Sequence, residues 1–315
     1  MSLYSLVFSL AMTLLLCGCG GSSNDNPSNS SSIASAIVSS SSITSSSSSK
    51  SSLPGSSSSS TSSSPATACS TQLCESNNKE LVRKIYEEVI NKNNTELLST
   101  IFDAKVNLHS AVANGGVTGE IAYIQLLKNN NPNAIATIKH IAADGDYVAV
   151  HWHLSNTPAN EFTGSAVVDL YKVSANQITE HWTLSESLNA TTASGNSLFS
   201  DLFIYKTTKP AATQASELAN KSLVTSFYLG LFNDKDLSLI DKYVDPDYLQ
   251  HNPYVPNGRE ALRSFASART PGGLSFFATI SDDDLVWTFG GNSFLTLVDI
   301  FRVADQKIVE HYDVF

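Results

Sequence analysis

The chain has 315 residues, of which 42% are hydrophobic and 15% are charged, and its formal net charge at pH 7 is −10. A negative charge of this size argues against nucleic acid as a partner, because nucleic-acid-binding proteins present basic surfaces. The length suits more than one domain, and no apolar run beyond the N-terminus is long enough to be a transmembrane helix.

The N-terminus reads as a targeting segment. Residues 1–18 have the pattern of a signal peptide, because their apolar run is too short to span a membrane as a mature helix. Leu16–Cys19 resembles a bacterial lipobox, which implies lipidation of Cys19; an ordinary cleaved signal is the alternative. Gly20 follows that cysteine and favours the outer membrane. We therefore expect an outer-membrane protein, facing the periplasm or the cell surface, that touches the membrane through its lipid anchor only.

A serine-rich stretch and two cysteines follow. Residues 19–68 consist almost entirely of serine with Asn, Thr, Pro and Gly, so they cannot bury enough apolar surface to fold and are expected to form a disordered polyserine linker. Cys69 and Cys74 are close in sequence and lack neighbouring thiol or histidine ligands, so a disulfide is favoured over a metal site in an oxidising compartment.

The remainder of the chain is a tandem repeat. Residues 81–109 align without gaps with residues 223–251, and the closing strand pair 298–315 repeats the pattern of residues 168–183. Each unit is about the size of an independent domain. The repeat predicts a first domain at 69–187, a connector at 188–215 and a second domain at 216–315.

In both units, helical patterns precede alternating, strand-like runs. The first unit predicts helices at 80–90, 95–102 and 119–128, then strands at 105–109, 135–142, 147–154, 164–173 and 177–184. The second unit repeats this order with helices at 218–232, 237–243 and from 257, and strands at 248–253, 275–281, 285–289, 294–303 and 308–315. The predicted class is therefore α+β, with about three helices on one face of a curved antiparallel sheet in each domain.

The motifs of the second unit resemble a known family. Tyr248–Leu262, Val298–Val303 and Ile308–Asp313, together with Ile138–His151 of the first unit, look like the SnoaL-like polyketide cyclase family of the nuclear transport factor 2-like superfamily. The resemblance implies two cone-shaped domains, each enclosing a pocket for a small hydrophobic ligand. Related cones often pair through their sheets, so it also suggests an internal pseudo-dimer or a homodimer.

The resemblance further implies chemistry without a metal or a cofactor, in which a carboxylate removes a proton from carbon. The expected catalytic candidates of the second domain are Asp299 or Asp313 as the base, with His251 or His311 as its partner. The alternative is that these acids and histidines are structural pairs that satisfy one another in the core.

The first unit retains only part of this set. His109, Asp169 and His181 are its expected pocket residues, but Thr183 stands where the second unit has Asp313. We therefore place any chemistry in the second domain. The sequence suggests a cofactor-free cyclase or isomerase for a small hydrophobic carbonyl compound; the alternative is a non-catalytic ligand-binding or protein-interaction module.

Two further patterns invite metal-site interpretations. His151 and His153 share one face of a strand, but no third ligand is fixed by spacing, so core or pocket-lining histidines are favoured. Asp282–Asp284 lies at a predicted hairpin turn and is favoured as a solvated acidic turn over a calcium site.

Overall fold

The computed structural model describes residues 68–110, 115–291 and 293–315. The predicted signal peptide, the lipidation of Cys19 and nearly all of the serine-rich linker lie outside these residues. Cys69 and Cys74 form the predicted disulfide bond. None of the described helices is both long and apolar enough to cross a membrane.

The first domain opens with helices and continues with a five-stranded sheet. Thr71 caps the first helix by accepting a hydrogen bond from the Cys74 amide, so the helix begins earlier than the apolar pattern alone suggested. The helical elements are α1 Gln72–Lys84, a π-helical continuation Ile85–Ile90, a 3-10 turn Thr95–Leu97, α2 Leu98–Ile101 and α3 Val117–Asn130. The strands are β1 Phe102–His109, β2 Ile135–Asp144, β3 Tyr147–Ser155, β4 Ser165–Ser174 and β5 Gln177–Ser187.

The second domain repeats this order of elements. Its helices are α4 Gln214–Phe232, α5 Ser238–Tyr243 and α6 Arg259–Ala268. Its strands are β6 Val244–Gln250, β7 Phe276–Asp282, β8 Leu285–Gly291, β9 Leu295–Ala304 and β10 Lys307–Val314.

The two sheets have the same topology. Their strand orders are β1-β5-β4-β3-β2 and β6-β10-β9-β8-β7. The last four strands of each form an antiparallel meander, whereas the first strand pairs parallel with the last. That parallel pairing was not predicted; it is possible because the third helix and the meander form a long crossover between the two strands. The α+β class with tandem domains is confirmed.

Each sheet has a helix-facing side and an outer side, because successive side chains point to opposite faces. The helix-facing cores centre on Tyr86 and Trp152 in the first domain and on Phe227 and Phe301 in the second. A third core contains residues from the outer sides of both sheets, including Val168 and Ile300. The two sheets belong to one compact unit.

Reciprocal polar contacts also join the two domains. Lys79 of α1 forms an ion pair at 2.6 Å with Asp282, at the β7–β8 turn, and Lys221 of α4 contacts Asp144, at the β2–β3 turn. The same aspartates accept hydrogen bonds from backbone amides of the other domain, Ala143 to Asp282 at 2.8 Å and Ser281 to Asp144 at 2.9 Å. Two subunits related by a twofold axis would form the same reciprocal contacts.

A polar cleft of about 760 Å³ lies beside these contacts. Thr71 and Thr213, the N-caps of α1 and α4, line it together with the two bridging lysines. It is a gap between the ends of the two long helices, and neither Asp299 nor Asp313 lines it.

Candidate functional site

Three candidate residues of the second domain meet on the helix-facing side of its sheet. Asp313 lies directly opposite Asp299 in the β9–β10 register, and His311 lies two positions before Asp313 on the same face. Only 1% of Asp299 and 6% of His311 and of Asp313 is exposed. We call Asp299, His311 and Asp313 the acid–histidine cluster.

Asp299 is held by three donors. The Tyr228 hydroxyl donates to Oδ1 at 2.8 Å, the Thr288 hydroxyl lies 3.4 Å from Oδ2, and His311 Nε2 lies 3.0 Å from Oδ1. A buried carboxyl group with this many hydrogen-bond partners has little capacity left for a substrate. Asp299 therefore fits the structural pairing that the sequence left open.

His311 lies between two acceptors. Its Nδ1 is 3.1 Å from Gln250 Oε1, which also accepts the backbone amides of His251 and Asn252, and its Nε2 faces Asp299. A neutral imidazole could donate to only one of these oxygens. His311 is therefore held between Gln250 and Asp299, next to the carboxyl group of Asp313.

Asp313 is the member of the cluster with a free acceptor. Its Oδ2 accepts a hydrogen bond from Asn252 at 2.6 Å, but its buried Oδ1 has no partner among the described residues. Burial raises the pKa of Asp313 to about 6; His311 opposes this rise, and the negative charge of Asp299 adds to it. A carboxylate with this pKa can act as a base at neutral pH.

Glu186 of β5 brings a first-domain carboxyl group near this site. Burial, followed by repulsion from Asp313, raises the pKa of Glu186 to about 9, and its buried Oε1 has no partner among the described side chains. Glu186 is therefore protonated at neutral pH, and Asp313 is the ionised member of this pair.

The acid–histidine cluster also has a geometry that a cation could use. One ligand atom from each of Asp299, His311 and Asp313 lies within 4.8 Å of the others. In the structure Asp299 Oδ1 and His311 Nε2 lie 3.0 Å apart and contact each other. A cation at this position would compete with that contact, so a chelator control belongs in any activity assay.

His251, predicted as a catalytic partner of the acids, and His109, predicted as a pocket residue of the first domain, do not join these clusters. His251 stacks on Tyr312 with ring centroids 4.2 Å apart, and His109 stacks on Trp182 at 4.1 Å, both on the outer sides of their sheets. The cause is strand alternation: the side chains next to each histidine, such as Leu108, take the helix-facing positions. Of the predicted pair of histidines, only His311 accompanies the acids.

The first domain contains a related but fully paired arrangement. Asp169 Oδ2 accepts hydrogen bonds from Tyr86 and from the Trp152 indole, each at 2.7 Å. His181 lies between Asp169 Oδ1 at 3.3 Å and Glu120 Oε2 at 3.0 Å. Burial alone would lower the pKa of His181, but the two carboxylates raise it to about 10. Asp169, His181 and Glu120 thus form a buried ion triad.

A tryptophan-to-glycine difference distinguishes the two clusters. Trp152 lies two positions beyond Val150, the partner of Asp169, while Gly290 lies two positions beyond Thr288, the partner of Asp299. Gly290 therefore supplies no counterpart of the indole N–H that Trp152 donates to Asp169. Phe276, the register partner of Gly290, stacks on Tyr228 with ring centroids 5.7 Å apart and has no hydrogen-bond donor for Asp299.

Sequence reasoning missed Glu120, Gln250, Asn252 and Glu186 as members of these sites. Glu120 lies on α3, and nothing in its local sequence shows that it is only 1% exposed. Tyr86 and Tyr228, which both donate to the aspartates, were detectable because the repeat aligns them.

The remaining candidates have structural partners. His151 is fully buried with Nδ1 3.1 Å from His140 Nδ1, and His153 Nε2 is 2.7 Å from the Thr163 carbonyl. Among the described residues, neither belongs to a group of three or more side chains that could hold a metal. At the acidic turn, Asp283 pairs with Lys209 at 2.7 Å and Asp284 with Arg302 at 2.9 Å. These contacts support the interpretation as core histidines. At the turn, only 6% of Asp284 is exposed, so the prediction of a solvated acidic turn is wrong for this residue.

The fold and these clusters define a pair of α+β domains with buried acid–histidine sites, and sequence comparison names the class. Residues 80–193 match the family model of the SnoaL-like polyketide cyclases, and residues 224–311 match that of the SnoaL-like domain. The chain therefore carries two SnoaL-like domains in tandem, as the motifs predicted. No curated protein matches the chain.

Solved structures with similarity to the chain include several described as cyclases. A candidate polyketide cyclase from Bacillus cereus is 19% identical, with 37% of this chain and 78% of that chain covered and a TM-score of 0.33. IdmH, a candidate polyketide cyclase from Streptomyces antibioticus, is 21% identical, with coverages of 35% and 91% and a TM-score of 0.29. A SnoaL-like polyketide cyclase from Agrobacterium tumefaciens is 14% identical, with coverages of 35% and 91% and a TM-score of 0.30.

Proposed function

We propose that the second domain is a cofactor-free cyclase or isomerase for a small hydrophobic carbonyl compound. Asp313 is its general base. The observation that carries the proposal is the state of this carboxyl group: it is buried, one oxygen has no partner among the described residues, and its pKa is raised to about 6. A group that is costly to bury and is left unsatisfied is more typical of a reactive site than of a structural pair.

The proton movements follow from these positions. Asp313 takes a proton from the carbon next to a carbonyl, and the electron pair of that C–H bond moves to the carbonyl oxygen as an enolate. The enolate carbon then attacks a second carbonyl carbon in a cyclisation, or is reprotonated at another carbon in an isomerisation. Asp313 returns its proton in either case.

Two neighbours complete the site. Asn252 orients the Asp313 carboxylate, and His311, held by Gln250 and Asp299, is placed to stabilise the developing enolate. Tyr248 is the donor to the enolate oxygen: it accepts a hydrogen bond from Gln250 Nε2 at 3.2 Å, which leaves its own hydroxyl proton available. Burial raises the pKa of Tyr248 well above its usual value, so it stays protonated.

Proton exchange tests this assignment without knowledge of the natural substrate. We expect the protein to accelerate deuterium incorporation from D2O into small aromatic 1,3-dicarbonyl compounds, followed by NMR. Asp313→Asn should lower the acceleration by about 10²–10⁴-fold, because it removes the general base. The wild-type rate should rise with pH through about 6, as Asp313 loses its proton, and then level off.

The matched control is Thr183→Ala, because Thr183 holds the position of Asp313 in the first domain. It should leave exchange unchanged, and Gly290→Trp should block it by placing an indole beside the cluster. Exchange that persists in Asp313→Asn would refute the assignment. Exchange lost on adding EDTA would show that a metal, and not the carboxylate alone, activates the substrate.

The second candidate function is ligand binding without chemistry. The observation in its favour is the full pairing of Asp169 with His181, Tyr86 and Trp152 in the first domain. We assign this non-catalytic role to the first domain. Calorimetric binding of a non-enolisable analogue that persists in Asp313→Asn would separate binding from turnover.

We also infer an envelope location, on the basis of the lipobox-like Leu16–Cys19 and the serine-rich residues that follow. The protein would be held on the outer membrane by acyl chains on Cys19. Metabolic labelling with palmitate should give a labelled protein, and Cys19→Ala should abolish the label. Cys17→Ala is the matched control and should retain it, since Cys17 would leave with the signal. A Cys19→Ala protein that still carries palmitate would rule out this anchor.

A further inference from the structure

The connector between the domains is bound across the outer side of the second sheet. Glu310 accepts hydrogen bonds from the Leu202 amide at 2.8 Å and the Phe203 amide at 3.4 Å. His251 donates from Nδ1 to the Ser197 carbonyl. These contacts recognise the backbone of an extended segment, so they do not depend on its side chains.

An acidic side chain of the connector adds a charge contact. Asp201 Oδ1 contacts the Arg302 guanidinium and accepts a hydrogen bond from the Tyr312 hydroxyl at 2.9 Å. Arg302 is fixed in turn by Glu310, with Nε 2.9 Å from Oε2. Phe199 packs on His153 of the first domain, with ring centroids 4.8 Å apart, and Asp201 Oδ1 also lies 3.1 Å from His140 Nε2 of that domain. The segment therefore lies between the two sheets. The second sheet binds its backbone and its aspartate, and the first domain packs against the aromatic residue two positions earlier.

The first domain has the same set of groups at the repeat-equivalent positions. His109 corresponds to His251, Glu180 to Glu310, and Lys172 to Arg302; Trp182 takes the place of Tyr312. His109 Nε2 lies 3.0 Å from Glu180 Oε2, and Lys172 Nζ lies 3.2 Å from Oε1. The corresponding distances in the second domain are both 2.9 Å. We call His109, Lys172, Glu180 and Trp182 the outer-face tetrad.

The outer-face tetrad differs from its counterpart in being accessible. The side chains of Glu180 and Lys172 are 28% and 37% exposed, against 0% for Glu310 and 11% for Arg302. His109 Nδ1, which corresponds to the nitrogen that binds the Ser197 carbonyl, makes no hydrogen bond to a described residue. The difference arises because connector residues contact His251, Arg302 and Glu310, whereas among the described residues they form no hydrogen bond with the tetrad.

An apolar surface adjoins the tetrad. Phe277 is 39% exposed, and its ring lies 5.6 Å from that of Trp182. This places an exposed aromatic ring of the second domain beside Trp182 of the tetrad, just as His153 of the first domain lies beside Phe199 of the connector.

We propose that the outer-face tetrad is a docking site for an extended peptide segment of a partner protein. The segment carries an aromatic or large aliphatic residue followed, two positions later, by an aspartate or glutamate. Glu180 binds its backbone amides, His109 Nδ1 donates to a backbone carbonyl, and Lys172 pairs with the acid. The large side chain packs against Phe277.

The connector, which contacts the equivalent groups of the second domain, indicates the chemistry of the segment that would bind the tetrad. The serine-rich residues before Ala68 contain neither an aromatic side chain after Phe8 nor an acidic one after Asp25, so residues 26–67 cannot supply these contacts. A second copy of the connector is already engaged on its own second domain. A separate protein is therefore the occupant that fits.

A connector-derived peptide is the direct probe. A fluorescent peptide with the sequence of residues 196–205 is titrated against the full chain and followed by fluorescence anisotropy. We expect saturable binding with a dissociation constant on the order of 10–100 µM, as for a short peptide held by a few charge-assisted contacts. Glu180→Gln and Lys172→Glu should each weaken it about tenfold or more, and so should an asparagine at the Asp201 position of the peptide.

The control for charge is Lys84→Glu, an exposed α1 residue in the same domain, which should not change the affinity. Binding that is insensitive to both tetrad substitutions would mean that the peptide has displaced the connector from the second domain, and it would overturn the proposal. No saturable binding would overturn it as well. Binding seen only after removal of residues 1–67 would assign the face to the N-terminal segment instead of to a partner.

Discussion

Asp313→Asn is expected to make the protein more stable near neutral pH, although the same change removes the proposed base. An aspartate ordinarily titrates near 3.8, whereas burial raises the pKa of Asp313 to about 6. Between these two values the unfolded chain has lost the proton and the folded chain retains it, so wild-type stability falls as pH rises from about 4 to about 6. Above about pH 6 the loss in free energy of unfolding caused by the buried Asp313 carboxylate is constant, at up to about 3 kcal/mol.

Asparagine avoids this cost and can keep the contact with Asn252. The variant should therefore unfold at higher denaturant concentration than wild type at pH 7.5, and the difference should shrink as the pH is lowered to 4. Asp305→Asn, which removes a carboxylate from an exposed turn, is the matched control and should show no such trend. Equal or lower stability of Asp313→Asn at pH 7.5 would mean that the carboxylate is satisfied by a group in the folded protein, and the proposed base would lose its main support.

Glu120→Ala is expected to destabilise the first domain strongly. It removes one of two carboxylates that flank the buried His181 and leaves that imidazolium partly uncompensated. Breaking a buried ion pair by truncating one partner costs roughly 3–5 kcal/mol. Glu120→Gln should cost less, because a neutral oxygen can still accept from Nδ1, as Gln250 does for His311.

The pH dependence distinguishes this charge effect from a packing effect. The pKa of His181 is raised to about 10 in the folded state, so its contribution to stability is complete below its ordinary value of 6.5 and is lost as pH rises toward 10. The difference between wild type and Glu120→Ala should therefore narrow over that interval. A difference that stays constant from pH 6 to 10 would identify Glu120 as a packing residue only. NMR titration of His181 provides a second, independent readout.

The sequence predicted the repeat, the α+β class and the pairing of acids with histidines on the closing strands. Those features are local or periodic: alternation along β9 and β10 places Asp299, His311 and Asp313 on one face whatever lies around them. It could not predict which face of β6 meets the helices, so His251 was assigned to the wrong side. That choice depends on packing against α4–α6, which alternation in a short strand does not specify.

Partners from distant elements were also beyond prediction. Glu120 contacts His181, which is 61 positions away in sequence, and Asp313 raises the pKa of Glu186 in the other domain. Each depends on how a helix or a sheet packs on another element. A single sequence does not indicate which distant elements pack together. Tyr86 and Tyr228 could be identified as equivalent residues because the repeat aligns them.

The reciprocal lysine–aspartate contacts have a consequence for how the two halves can differ. In a dimer of identical chains, every substitution appears in both subunits, so a costly buried carboxylate would have to be present twice. Here Lys79 and Lys221 reach across to Asp282 and Asp144 within one polypeptide, and the halves stay together at any dilution. The first domain can therefore keep Thr183 and Trp152, with Asp169 fully hydrogen-bonded. The second domain can carry the folding cost of burying Asp313 while the first domain packs against it.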